Sequence, residues 1–246
     1  MPDANVWINF GRSAAIEGRL RALTDRGHTF AVAPPALMEL FTGLGQDQER
    51  FSNDQRIFRW IDGKQFEILE LPKPFMANIL RTALPSPSGV KPNHYRELLQ
   101  MVVASADHAD FVSKANAPNS VWKLVENMNQ IHNQVLDEEL SALRRIAKKT
   151  ALAEKMCTWF GAPGCRPNHV VFQRKFSAGL EFLESSLSKV HQGAKPERND
   201  RGLYVDFQLL LYLADPNIHF LTGEGFAAEI RKSAQKDRIV KLGSLP

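Results

Sequence analysis

The segment from Tyr204 to Phe226, YVDFQLLLYLADPNIHFLTGEGF, most narrows what this chain can become. Asp206 is followed by Phe207, Leu209, Leu210, Leu211, Tyr212, Leu213 and Ala214, apolar on nearly every face of a helix. The expectation is a buried helix with Asp206 at its N-terminus. Asp215-Pro216-Asn217 reads as a turn and Ile218 to Thr222 as a strand, with Gly223 and Gly225 freeing the backbone where that strand ends. An acid, a buried helix, a turn, a strand and a second acid, Glu224, predict a site-bearing α/β unit. In a parallel sheet, ligands bind at the carboxyl edge of the strands.

The first residues carry a related pattern. Asp3 and Asn5 stand ahead of Val6-Trp7-Ile8, and Ile16, Leu20 and Leu23 recur at helical spacing up to a stop at Gly27. Thr29 to Ala33 reads as a strand. Pro34-Pro35 then suits the first turn of a helix, which places Glu39 in its early turns. Phe66 to Leu69 is a brief strand, and Leu84 to Gly89 is the strongest linker signal. Residues 95–115, 121–160 and 170–191 read as helical, with a break at Gly161 to Gly164. A short helix from Phe226 to Lys232 and a last strand from Arg238 to Leu242 close the chain. The expected architecture is therefore an α/β domain from residues 1–83 and 203–246, its two ends sharing one parallel sheet, interrupted by a mostly helical insertion over 84–202.

Composition sets the outer limits. With 43% hydrophobic residues among 246, a packed core is expected rather than disorder. No charged leader runs into an apolar segment and no apolar run reaches membrane-spanning length, so the reading is a cytoplasmic protein with no membrane association. Two cysteines, Cys157 and Cys165, do not make a disulfide scaffold. With His169 nearby but no fourth ligand, they do not make a zinc site either. Phosphate-loop and dinucleotide glycine patterns are absent. The net charge of +4 is unevenly spread: residues 140–201 hold 12 Lys and Arg against 5 Asp and Glu, leaving 19 against 22 elsewhere. Arg144, Arg145, Lys148 and Lys149 head that basic block, which reads either as a surface for a polyanion or as a solvated helix face.

Asp3, Glu39, Asp206 and Glu224 each fall at a strand end or in the turns of the helix that follows. In a parallel layer such positions converge on one sheet edge. Carboxylates that close raise one another's pKa, and a hard divalent cation, Mg²⁺ or Mn²⁺, relieves the repulsion. Such a cation beside a phosphodiester supports hydrolysis.

These residues resemble the acidic set of PIN-domain ribonucleases. Asp3-Ala4-Asn5-Val6-Trp7-Ile8 resembles that family's opening motif, and Val32 to Leu40, with Glu39 as its acid, resembles the second. Asp206 with its apolar helix resembles the third, and Leu221-Thr222-Gly223-Glu224-Gly225-Phe226 the fourth, with Thr222 as the hydroxyl residue. The resemblance implies a PIN-like three-layer fold with a central parallel sheet. It also implies a Mg²⁺- or Mn²⁺-dependent endoribonuclease with Asp3, Glu39, Asp206 and Glu224 as catalytic metal ligands, and Asn5 and Thr222 as positioning groups. RNA is the implied substrate, with DNA open. Many relatives are toxins held by an antitoxin protein, so such a partner, and a homodimer, are allowed. Three features depart from the family pattern. Only Met1 and Pro2 precede Asp3, so the first strand is truncated or begins upstream; glutamate stands at position 224 where aspartate is usual; and residues 43–199 have no counterpart in minimal members. The alternative is a PIN-like module without catalysis that binds nucleic acid or another protein.

Overall fold

The computed structural model describes residues 1–44, 47–80, 92–127, 169–191, 200–223 and 230–245. The chain opens with a bridge rather than a full strand: Pro2 lies parallel to Leu221, Leu221 donates its N–H to Met1 O at 2.8 Å, and Asp3 donates to Leu221 O at 2.9 Å. Helix α1, Ala4–Arg12, starts at once because Asp3 caps it, one carboxyl oxygen accepting from Val6 N at 2.7 Å. Its buried stripe of Val6, Trp7 and Phe10 faces the core, and Arg12 sits in the last turn, where the helix dipole favours a cation.

Helix α2, Ala14–Asp25, follows and ends before Gly27, whose φ of 88° is a left-handed conformation that glycine adopts without Cβ strain. Strand β1 is only Ala31–Val32, because Pro34 and Pro35 open helix α3, Pro34–Leu44. Helix α4, Gln48–Gly63, is capped by Asp47, whose carboxylate accepts from Arg50 N at 2.8 Å. Strand β2, Glu67–Ile68, is confined between the Lys64-Gln65 turn and Pro72, the first residue of α5, Pro72–Leu80. Helices α6, Pro92–Val103, and α7, His108–Asn116, come next, and residues 121–127 are helical. Helices α8, His169–Lys175, α9, Ser177–His191, and α10, Asp200–Leu211, lead to strands β3, Phe220–Thr222, and β4, Ile239–Lys241.

This is not the expected three-layer fold. The described residues are mostly helical, and their strands form two separate two-stranded parallel sheets, β1 with β2 and β3 with β4, with no central sheet joining the two ends. Strand length is the physical reason. Prolines stop β1 after two residues, Pro2 has no N–H to give to a ladder, and the Asp3 cap turns the chain helical before an opening strand can extend. Among the described residues, strand pairing between the two ends is limited to the single Pro2–Leu221 bridge. Residues 230–232 are not helical as expected; Arg231 and Lys232 form a turn.

One hydrophobic cluster runs through the described residues. Trp7, Phe10, Phe30, Trp60 and Phe66 interlock in it, with Phe10 stacked on Trp60 at 4.4 Å and Trp60 edge-on to Phe66 at 5.0 Å. Leu98, Leu99 and Phe111 from α6 and α7, and Phe172, Phe176 and Phe182 from α8 and α9, belong to the same cluster. Helix α1 packs on α2, α3 and α4, while α10 packs on α9, α3 and α5. That arrangement sets α3 between the helices that carry the other candidate acids. Among the described residues no helix is long and apolar enough to cross a membrane.

Candidate functional site

Asp3 is fixed twice, by its backbone on β3 and by its side chain on the first turn of α1. Only 3% of it is exposed, so a carboxylate has been placed inside the protein at the junction of a strand bridge and a helix. Glu39 lies in the second turn of α3 and is an exposed residue whose carboxyl group is nonetheless largely surrounded by protein atoms. Its carboxyl is pushed up to about 7, first by burial and then by the neighbouring Asp3 charge. These two acids, 36 positions apart in sequence, are thus electrostatic neighbours.

Asp206 is placed differently from expectation. Helix α10 begins at Asp200, so Asp206 stands in its middle, partly buried, and is not an N-cap. The six residues before it are helical although Asp200-Arg201-Gly202 is polar. Helix α10 packs on α3, the helix of Glu39. Thr222 is fully buried at the end of β3, in register with Lys241 of β4, and Asn5 is exposed in the first turn of α1. Glu224 and the four cations Arg144, Arg145, Lys148 and Lys149 lie outside the described residues. A four-carboxylate cluster is accordingly not seen: among the described residues no three His, Cys, Asp or Glu side chains gather to hold a metal ion.

The Asp3–Glu39 pair nevertheless fits the donor chemistry of a hard cation. Mg²⁺ is commonly held by one or two carboxylates, with water and substrate phosphate oxygens completing the shell. A carboxyl lifted to about 7 by burial first and by a neighbouring carboxylate second is also one that a divalent charge would stabilise.

A second buried acid escaped the sequence reading. Asp54 on α4 is 2% exposed, its Oδ2 lies 3.7 Å from Arg50 Nε, and burial lifts its carboxyl to about 6 against the lowering pull of Arg50 and Arg12. The signal available was the i, i+4 spacing of Arg50 and Asp54 on the same stripe as Ile57 and Ile61.

The segment after β4's neighbour is held by polar contacts rather than by a helix. Gln235 accepts from Ala178 N at 3.0 Å and donates to Leu213 O at 2.8 Å and Lys175 O at 2.6 Å. Glu181 accepts from Lys232 N at 2.7 Å. These bonds tie residues 230–235 to α9, to Lys175 at the end of α8 and to Leu213 just after α10. Comparison with family models, with curated proteins and with solved structures finds no match for this chain.

Proposed function

We propose that the chain is a divalent-cation-dependent phosphodiester hydrolase that cuts RNA, with Asp3 and Glu39 at its centre. The observation that supports this reading is the electrostatic coupling of those two carboxyls across α1 and α3. Asp206, on the helix packed against α3, is the third acid of the proposal, and Glu224 the fourth. A Mg²⁺ or Mn²⁺ ion held there would activate water and stabilise charge on the phosphate oxygens.

The chain's own contribution is placement and exclusion. The cap on Val6 N fixes one Asp3 oxygen and so orients the other, and Glu39 is carried on α3, which packs on α1. Burial of Asp3 keeps bulk water from screening its carboxyl, which strengthens charge interactions at that end of the site. With its carboxyl near 7, Glu39 also holds a proton that it can give up or take at neutral pH.

A second reading is a module that binds nucleic acid or protein without cleaving. It is favoured by the lack of a third metal-ligating side chain beside the pair among the described residues. Incubation of labelled single-stranded RNA with Mn²⁺, with EDTA, and with the Asp3→Asn and Glu39→Gln variants separates the two. Cleavage that needs the ion and both carboxylates supports the hydrolase; binding without cleavage by folded wild type in Mn²⁺ would transfer the assignment to the module.

A further inference from the structure

Three segments run side by side where the two ends of the chain meet. Leu221 pairs on one side with Pro2 and on the other with Val240, so β3 lies between the opening residues and β4, all parallel. One residue further along, Asp3, Thr222 and Lys241 stand level at the carboxyl ends of the three segments. Side chains alternate between faces along an extended chain, so these three share a face, the one opposite that of Leu221. Neighbouring segments are ~4.8 Å apart, which sets the Asp3 and Lys241 backbones about 10 Å apart with Thr222 between them. Exposure rises at the β4 side of this row: Asp3 is 3% exposed, Thr222 is fully buried and Lys241 is exposed. The row reads acid, hydroxyl, cation. The end of β3 is open as well, since a Cβ built on Gly223, the residue after Thr222, meets no atom within 4 Å. Among the described residues Lys241 has no ion-pair partner. Arg19 of α2 adds positive charge at the same corner, donating to Leu242 O at 3.3 Å, while Asp237 lies at the other end of β4.

From this row we infer that Lys241 binds a phosphate group of the RNA strand cut at Asp3 and Glu39. A carboxylate pair repels an anionic backbone, so a strand held there gains from a cation in line with the pair, and Lys241 is the cation level with Asp3. An ammonium on a flexible four-carbon stem meets phosphate oxygens as a point charge and needs no fixed fork geometry. Lysine on an outer strand can also serve only to discourage pairing with another chain. That purpose is met anywhere along β4, whereas Ile239 and Val240 are apolar and the lysine stands at the carboxyl end, where ligands of parallel strands bind.

The inference rests on the RNA reading, and binding measured in EDTA lets it fail separately from cleavage. Fluorescence anisotropy with a labelled single-stranded RNA oligomer would compare wild type, Lys241→Gln, Lys241→Arg and Lys236→Gln, the last removing the same charge from the other end of β4. Lys241→Gln is expected to weaken binding roughly fivefold and to lower the slope of log K against log salt by ~0.7, the share of one contact on a single strand. Lys241→Arg should restore both, and Lys236→Gln should leave both near wild type. With Mn²⁺ present, Lys241→Gln should raise KM for the same oligomer and leave kcat within about twofold, as loss of a ground-state contact does. No wild-type binding, an unchanged slope in Lys241→Gln, or equal losses in Lys241→Gln and Lys236→Gln would each overturn the inference. A fall in kcat at unchanged KM would overturn it too, since that marks a disturbed site rather than a lost contact. Lys241-dependent binding without cleavage would keep the contact and remove the hydrolase; metal-dependent cleavage with binding and KM unaltered in Lys241→Gln would do the reverse.

Discussion

Glu39 in α3 has Asp3, the cap of α1, as its charged neighbour, and burial together with that charge raises the Glu39 carboxyl to about 7. Burial is the larger cause and the Asp3 charge the smaller, which makes the contribution of Asp3 separable. Asparagine caps a helix about as well as aspartate but carries no charge, so Asp3→Asn should keep α1 intact. The Glu39 midpoint should then fall below 7 while staying above the ordinary carboxyl value, because burial persists. Carboxyl-carbon NMR titration of both proteins reads this directly; an unmoved midpoint would mean that the two acids do not interact.

A proton and a divalent ion compete for the same Glu39 oxygens. With the midpoint at about 7, roughly a tenth of Glu39 is ionised at pH 6 and roughly nine tenths at pH 8. Apparent Mn²⁺ affinity should therefore rise roughly tenfold over that range, read as the metal-induced change in melting temperature at each pH. Glu39→Gln should abolish the pH dependence. Equal shifts in wild type at both values would take Glu39 out of the binding site.

The element types near the acids could be read from sequence more securely than their assembly. The Pro34-Pro35 pair announced α3 and so put Glu39 on a helix, which is local chemistry. The sheet was not a local matter. A repeating strand–helix order suggested one parallel layer, but whether β1 joins β3 depends on strand length and long-range packing, and here the strands pair as two separate sheets. Asp206 failed for another reason. Its apolar successors mark where the helix becomes buried, and that point lies six residues after the helix begins at Asp200. The Glu17 contact to Arg56 spans 39 positions, and no spacing rule connects them.

Asp54 should make stability depend on pH in the direction opposite to that of most carboxylates. Its folded pKa is raised to about 6, above the ordinary value near ~4. Between those values the folded chain keeps a proton that the unfolded chain has released, so stability is highest below pH ~4, falls as the pH rises to about 6, and is level beyond it. Glu17 and Asp110, both lowered by partners, contribute the reverse, so the test is a comparison with Asp54→Asn. The stability of wild type relative to this variant, from urea unfolding at pH 4 and pH 7, should decline as the pH is raised. A constant difference would place Asp54 in water.

Arg238 joins the end of the α10 region to the strand that pairs with β3. One guanidinium nitrogen donates to Asp215 O and, at 3.2 Å, to Ile218 O, and another donates to Leu213 O. Those carbonyls close the helix and the following turn, and Arg238 is the residue immediately before β4, so this single side chain sets where β4 lies beside Phe220, Leu221 and Thr222. Hydrogen bonds to a charged group contribute ~1.5–3 kcal/mol each and are not additive here, because one fork makes them all. Arg238→Ala is expected to cost about 2–4 kcal/mol in a thermal melt. Arg238→Lys should recover only part of this, since an ammonium cannot span all three acceptors from one position. Leu221 receives the Asp3 N–H on its other side, so loosening β4 should also loosen the backbone under the carboxylate pair. The expected sign is faster amide exchange at Asp3 in Arg238→Ala, and unchanged exchange there together with a loss of less than ~0.5 kcal/mol would show that β3 holds its place without the latch.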